Sequence, residues 1–245
     1  MNKRKNIALD VINVSKSFGS TTILKSISFE AVRGETVVLL GKSGTGKSVI
    51  LQCIVGLLTP DSGDIFILGQ NIPQLDYDAL QEIRKKIGFL FQSGALYDSM
   101  SVRDNLEFPL RRHEILTEKE IEDRVKQCLD DVGLLSSIDK MPSELSGGMR
   151  KRVGLARTII LKPEVILYDE PTTGLDPATS REISRLIIKM QEKLKVSSLI
   201  VTHDMECVKM TANKVLVLKD GTICASGAYA EISESQDEFV KSFFE

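Results

Sequence analysis

The hydrophobic rhythm of the chain changes several times, and each change marks an element. Leu9, Val11 and Val14, then Ile23, Ile27 and Phe29, alternate loosely with polar residues, with Gly and Ser interrupting at 17–20. This pattern predicts an antiparallel β layer. Residues 36–40 form a continuous apolar run, as expected of a strand covered on both faces. A Gly-rich stretch follows, then Val49, Ile50, Cys53, Ile54 and Leu57 at helical spacing. Residues 59–63 read as a turn and 65–68 as a strand. Further on, Thr117 and Glu120 form a capping box ahead of Ile121, Val125, Leu129 and Val132 on one helix face, and Gly133 closes that helix. The buried-strand pattern returns at 165–168 and 198–201. Between these runs, Asp176 caps and Pro177 starts a helix whose stripe is Ile183, Leu186, Ile187, Met190 and Leu194. Residues 215–218, Asp220-Gly221 and 222–225 predict a hairpin with a type I′ turn. The expectation is one α/β domain over 1–245. It has a parallel-sheet core over about 36–210, an N-terminal antiparallel β layer, and a helical subdomain inserted at about 93–160.

Composition narrows the class. Of 245 residues, 42% are apolar and 27% charged, which excludes disordered, collagen-like and disulfide-knot classes. A net charge of −2, an aromatic share of 5% and no Trp argue against a nucleic-acid partner. The four cysteines are far apart and form no CxxC pair, so free thiols in a reducing compartment are expected. No apolar run reaches the length of a spanning helix. The opening Met1–Asn6 is basic enough for a signal peptide, but 7–13 is broken by Asp10 and Asn13 and reads as a strand.

The chemistry begins with the Gly-rich stretch. Gly41, Lys42, Ser43, Gly44, Thr45, Gly46, Lys47 and Ser48 fit GxxxxGK[ST] at every position, between a buried strand and a helix. Such a loop turns backbone N–H groups toward phosphate oxygens, and the helix N-terminus adds its positive end. Lys47 is placed to reach the β- and γ-phosphates and Ser48 to hold Mg²⁺. Asp169 and Glu170 end a second buried strand. Adjacent strand residues face opposite ways, yet at a sheet's carboxyl edge both can reach the ligand crevice. Asp169 is expected to bind Mg²⁺ and Glu170 to polarise the attacking water. His203 follows a third such strand, which favours a γ-phosphate contact over a purely structural role. Gln92 follows the run 88–91; it is either a surface residue or a link from Mg²⁺ and water to the helical insert. Leu145-Ser-Gly-Gly-Met149 starts a helix with Ser146 as its cap. The basic run Arg150-Lys-Arg152 reads as a solvated face, with Arg150 close enough to the helix start to stand beside a nucleotide.

With these motifs in order, the chain resembles the ATP-binding subunits of ABC transporters over essentially its whole length. The resemblance implies a P-loop NTPase of the ABC type, with a RecA-like core, that binds ATP and Mg²⁺ and hydrolyses ATP. Residues 41–48 match Walker A, with Val49 continuing the nucleotide site, and Gln92 matches the Q-loop. Ser146, Gly147 and Gly148 match the signature, Asp169 and Glu170 match Walker B with its catalytic glutamate, and Gly174-Leu-Asp176 matches the D-loop. His203 matches the switch histidine. Phe18 looks like the aromatic that stacks on adenine. Catalysis would fall to Glu170, His203 and Gln92, and metal binding to Ser48, Gln92 and Asp169. Met149 departs from the common Gln of the signature. It cannot donate a hydrogen bond to ribose, though it can pack softly. The resemblance further implies a head-to-tail homodimer that sandwiches two ATP molecules, and an integral membrane permease docked in the groove beside Gln92. The subunit would be peripheral on the cytoplasmic face of the inner (plasma) membrane. Residues 91–96, 105–110 and the Met-type signature look most like the ATPases of Mla-type phospholipid transporters, which work with MCE-domain lipid-binding proteins. An importer of amino acids or another small solute is the alternative. A soluble ABC ATPase acting on ribosomes or DNA, or a P-loop kinase, fits less well: there is one cassette, no heptad run and no acceptor lid.

Overall fold

The computed structural model describes residues 6–244; the basic opening Met1–Lys5, on which the signal-peptide reading partly turns, lies outside the described residues. Two sheets frame the molecule. Ile7–Phe18 (β1), Thr21–Val32 (β2), Ser62–Ile67 (β4) and Gln70–Asn71 (β5) make an antiparallel sheet in the order β2-β1-β4-β5. Thr36–Leu40 (β3), Ile87–Leu90 (β6), Val165–Asp169 (β7), Ser197–Thr202 (β8), Lys214–Lys219 (β9) and Thr222–Gly227 (β10) make the second, ordered β10-β9-β3-β8-β7-β6. Its strands are parallel from β9 to β6, and β10 adds an antiparallel edge. The β9–β10 turn has positive φ at Asp220 and Gly221, as a type I′ turn requires.

The helices are Lys47–Ile54 (α1), Tyr77–Lys85 (α2), Val102–His113 (α3), Glu118–Asp131 (α4), Gly147–Ile159 (α5), Pro177–Leu194 (α6), Met205–Thr211 (α7), Tyr229–Ser233 (α8) and Glu238–Lys241 (α9). Three of them (α3, α4 and α5) lie between β6 and β7, in the region expected to be helical.

Why the centres of the parallel strands are apolar on both faces follows from the two cores. Val37, Leu39, Leu167, Leu199, Val201 and Leu216 face one core, shared with α1 and the antiparallel sheet. Their neighbours Val38, Leu40, Ile166, Tyr168, Ile200 and Val217 face the other, shared with α3–α7. Side chains alternate across a strand, so a strand covered on both sides is apolar along its centre, and the buried polar residues Thr36, Ser197, Ser198 and Thr202 fall at the strand ends.

Several caps match the sequence. Thr117 and Glu120 cap α4 reciprocally, and Asp176 accepts from Ala178 and Thr179 N–H at the start of α6. The sequence pattern does not single out α2, α3, α7 or α8 as helices. Of these, α3 is capped by Ser101 with Asp104, not Glu, and carries Pro109 inside it. The turn expected over 59–63 is shorter, because β4 already begins at Ser62. The apolar stripe near the C-terminus folds back on its own domain: Val240 is fully buried, and Phe239, Phe243 and Phe244 pack against the α-side core.

Candidate functional site

The phosphate loop leaves β3, a strand with every residue buried, and enters α1. Gly46 sits at φ 102°, and a Cβ there would come within 2.9 Å of Ile23 Cγ2 and Leu24 Cδ2. Only glycine satisfies both the backbone and the space. The loop is braced from within: Thr45 Oγ1 donates to Lys42 O (2.8 Å), and Lys47 Nζ donates to Gly41 O (2.7 Å) and Lys42 O (3.0 Å). No side chain caps α1 and no acidic residue lies in its first turn. Its first N–H groups and its positive end are therefore available to an anion.

A cavity of about 410 Å³ opens against this loop. Its walls include Ser43, Gly44, Gly46, Lys47, Ser48 and Val49 from the loop and α1, and Gln92, Glu170, Thr173 and His203 from the ends of the parallel strands. β2 contributes Ile23. At the mouth Ser48 Oγ donates to Asp169 Oδ1 at 3.3 Å. Burial pushes the Asp169 carboxyl up, the Ser48 hydrogen bond opposes this, and the neighbouring Glu170 adds to it.

Glu170 is the centre of the cluster. Its carboxylate lies 3.3 Å from Lys47 Nζ and 2.9 Å from His203 Nδ1, and accepts from Thr173 Oγ1 at 3.1 Å. Burial alone would raise its pKa, but His203, Lys47 and Thr173 outweigh that and hold it below the ordinary glutamate value. Against an ionised carboxylate, His203 Nδ1 carries the proton. The backbone explains how Glu170 reaches the crevice next to Asp169. Glu170 has φ 48°, a left-handed conformation that breaks the strand's alternation. Its N–H donates to Val201 O at 2.8 Å, which keeps it tied to β8.

Among the described residues no group of three or more His, Cys, Asp or Glu forms a metal cage. One hydroxyl and one carboxylate at the loop mouth, Ser48 and Asp169, suit Mg²⁺, which keeps few protein ligands beside phosphate oxygens and water. Gln92 is exposed on the same wall.

The remaining candidates lie apart from this crevice. Ser146 caps α5, its Oγ accepting from Met149 N–H at 3.2 Å, and Gly147 is exposed beside it. Gly148 presses on α6: a Cβ there would stand 2.6 Å from Thr179 Cγ2. Ser146, Gly147 and Gly148 are not on the wall that holds Lys47. Phe18 is 48% exposed at the end of β1, with Lys16 Nζ 5.7 Å from its ring centroid. Lys42 points elsewhere, its Nζ 5.3 Å from the Phe239 ring centroid.

One expectation is corrected. Lys151, read as part of a solvated face, is only 5% exposed, and its ammonium donates to Glu170 O at 3.1 Å. Arg150 is exposed, as expected, and donates to Leu145 O; Arg152 pairs with Glu182. Thr173 carried no signal in the sequence, because it reaches Glu170 only through the turn that follows β7.

A family model described as ABC transporter matches residues 24–173. The chain is 41% identical over 237 residues to the "Probable ribonucleotide transport ATP-binding protein mkl" of Mycobacterium leprae, spanning 97% of this chain and 68% of that protein. It is 39% identical over 235 residues to the "Intermembrane phospholipid transport system ATP-binding protein MlaF" of Haemophilus influenzae, spanning 96% and 89%. The ATP-binding cassette MJ0796, solved as a dimer in a post-hydrolysis state bound to ADP and Pi, superposes with a TM-score of 0.82. That match is at 32% identity and covers 90% of this chain and 98% of that one.

Proposed function

The chain belongs to the ABC transporter family, and we propose that it is the ATPase subunit that powers phospholipid transport through a membrane permease. As a member it is an ATPase that binds ATP with Mg²⁺. The observation that carries the reading of its site is the contact of Glu170 with both Lys47 and His203, at 3.3 and 2.9 Å, at the edge of one parallel sheet.

The residues divide the work. Backbone N–H groups of 43–48 and the start of α1 cradle the phosphates, and Lys47 neutralises charge on the β- and γ-groups. Ser48 and Asp169, with Gln92 beside them, would hold Mg²⁺, which supplies electrostatic stabilisation of the transferring phosphoryl group. Glu170, ionised and aimed into the crevice, accepts a hydrogen bond from the attacking water and orients it. His203 holds the Glu170 carboxylate through Nδ1 and presents the rest of its ring to the γ-phosphate. Phe18 contributes an exposed face for the adenine.

Ser146, Gly147 and Gly148 then serve a second copy. They crown α5 away from the chain's own Lys47, so a head-to-tail homodimer would bring each signature to the partner's ATP. Each charge-assisted hydrogen bond formed there contributes about 1.5–3 kcal/mol, and loss of the γ-phosphate weakens the pairing. A groove of about 220 Å³ lined by Phe89, Tyr97, Phe108, Pro109 and Arg157 offers the permease a place to dock on the helical segment that follows Gln92. Among the described residues no helix is long and apolar enough to cross a membrane. The permease would therefore tether the subunit to the cytoplasmic face of the inner (plasma) membrane. The phospholipid cargo and an MCE-domain partner rest on the likeness to MlaF and on the Met-type signature.

Affinity purification of the Glu170→Gln chain from native membranes with Mg-ATP, followed by mass spectrometry, tests this reading. Co-purification of a permease, an MCE-domain protein and phospholipid is expected. A permease with bound ribonucleotide would favour the second reading, which the name of the M. leprae relative suggests. An amino-acid-type permease would overturn the lipid assignment.

A further inference from the structure

Lys151 is a buried cation that the established activity does not use. It lies one turn into α5, the helix that Ser146 caps, and is 5% exposed. A lysine is rarely fully buried without a reason, since burial disfavours its charge; here burial lowers its pKa to about 8, opposed by the charges of Asp169 and Glu170. Its ammonium donates to the main-chain oxygen of Glu170 at 3.1 Å. That oxygen also accepts from Thr173 N–H at 3.3 Å, while the Glu170 N–H donates to Val201 O. The peptide groups on both sides of Glu170 are thus fixed at a residue whose φ of 48° is unfavourable for a side chain with a Cβ. Helix α5 is itself wedged in place. Gly148 abuts Thr179 on α6, and Gly154 lies against Gly94, two residues beyond Gln92, where a Cβ would be 3.1 Å from Gly94 O.

We propose that Lys151 is a positioning residue for hydrolysis: its bond to Glu170 O holds the left-handed turn that aims the Glu170 carboxylate into the crevice, and ties that turn to the signature helix of the same subunit. The inference rests on the reading of Glu170 as the water-orienting carboxylate. A long side chain with a charged donor is needed because it must cross from a helix interior to a strand-end carbonyl and bring a strong donor there. A charged donor makes that bond stronger than a neutral one would. The consequence concerns turnover, not nucleotide affinity. Lys47 and the loop are braced by bonds within residues 41–48, Lys47 also pairs with Glu170 at 3.3 Å, and none of these contacts is to Lys151.

The test is steady-state hydrolysis and ATP affinity in the full-length chain with Mg²⁺, for Lys151→Met, Lys151→Gln and Lys151→Arg, with Glu170→Gln as a reference. Small misplacement of a reacting group costs about 10²-fold. Lys151→Met is expected to lower kcat by about 10–100-fold with the KM for ATP and the measured Kd within about twofold of the parent. Lys151→Gln keeps a neutral donor and should lose less, and Lys151→Arg should restore most of the rate. Lys151→Met placed on Glu170→Gln should cause no further loss. A parent-like kcat in folded Lys151→Met, or equal loss in the Met and Arg variants, overturns the positioning role. If Lys151→Met fails to fold, the Gln and Arg pair decides by the same criterion. The failure of the underlying reading looks different: Glu170→Gln itself would then hydrolyse ATP at the parent rate.

Discussion

The phosphate loop and the turn at Glu170 face each other across one crevice, yet they are built in opposite ways. The loop is local. Its bracing bonds run from Lys47 to Gly41 and Lys42 and from Thr45 to Lys42, and its shape depends on glycine at Gly46. The turn is assembled from distant segments: Val201 from β8, His203 just beyond it, Lys151 from α5, and Thr173 close by. Holding a charged phosphate needs N–H groups and one cation, which a short segment can supply. Orienting water needs a carboxylate at a fixed angle, which only surrounding packing can hold. Binding and turnover should therefore be separable by mutation.

The sharpest way to break this contrast is Lys47→Ala. It removes the cation of the local half and should reduce ATP affinity at least tenfold, in line with about 1.5–3 kcal/mol for each charged hydrogen bond lost. Titration calorimetry reads it; unchanged affinity would remove the phosphate-loop assignment. His203→Ala acts on the assembled half. It should lower kcat by about 10²-fold while ATP affinity stays near the parent value, and a selective loss of affinity would count against the division. Gly148→Ala probes the seam that positions α5. Its Cβ would stand 2.6 Å from Thr179 Cγ2, so overpacking should cost about 1–3 kcal/mol in denaturant unfolding. Turnover should fall with it, and an unchanged rate and stability would show that the seam gives way freely. The smallest effect belongs to a control outside both halves. Thr117→Ala removes the reciprocal cap of α4 and should cost about 1 kcal/mol of stability with no change in ATP affinity.

The same contrast explains what was legible in the sequence. The phosphate loop could be read from consecutive letters because its geometry is made by consecutive residues. The caps Thr117, Ser146 and Asp176 were equally plain, each acting within three residues of itself. Asp169 and Glu170 could be seen as carboxylates at a strand end, but not the left-handed turn that lets neighbouring side chains share a crevice; β8 and α5 impose that turn. Lys151 was misread for a related reason. In a run of three basic residues a lysine looks solvated, and its burial is decided by the wedging of Gly148 and Gly154 against other segments. Helix α3 escaped because Pro109 breaks its pattern, although Asn105 is fully buried there and bonds to the carbonyls of Tyr97, Met100 and Ser101.

The most direct test of the separation is the Glu170→Gln chain with Mg-ATP, followed at once by phosphate release and by size exclusion with light scattering. The substitution keeps the shape of the side chain and removes the charge that orients water. The account predicts nearly abolished turnover, ATP bound as tightly as in the parent, and a stable nucleotide-bound dimer. Turnover at the parent rate, or a chain that no longer binds ATP, would contradict it.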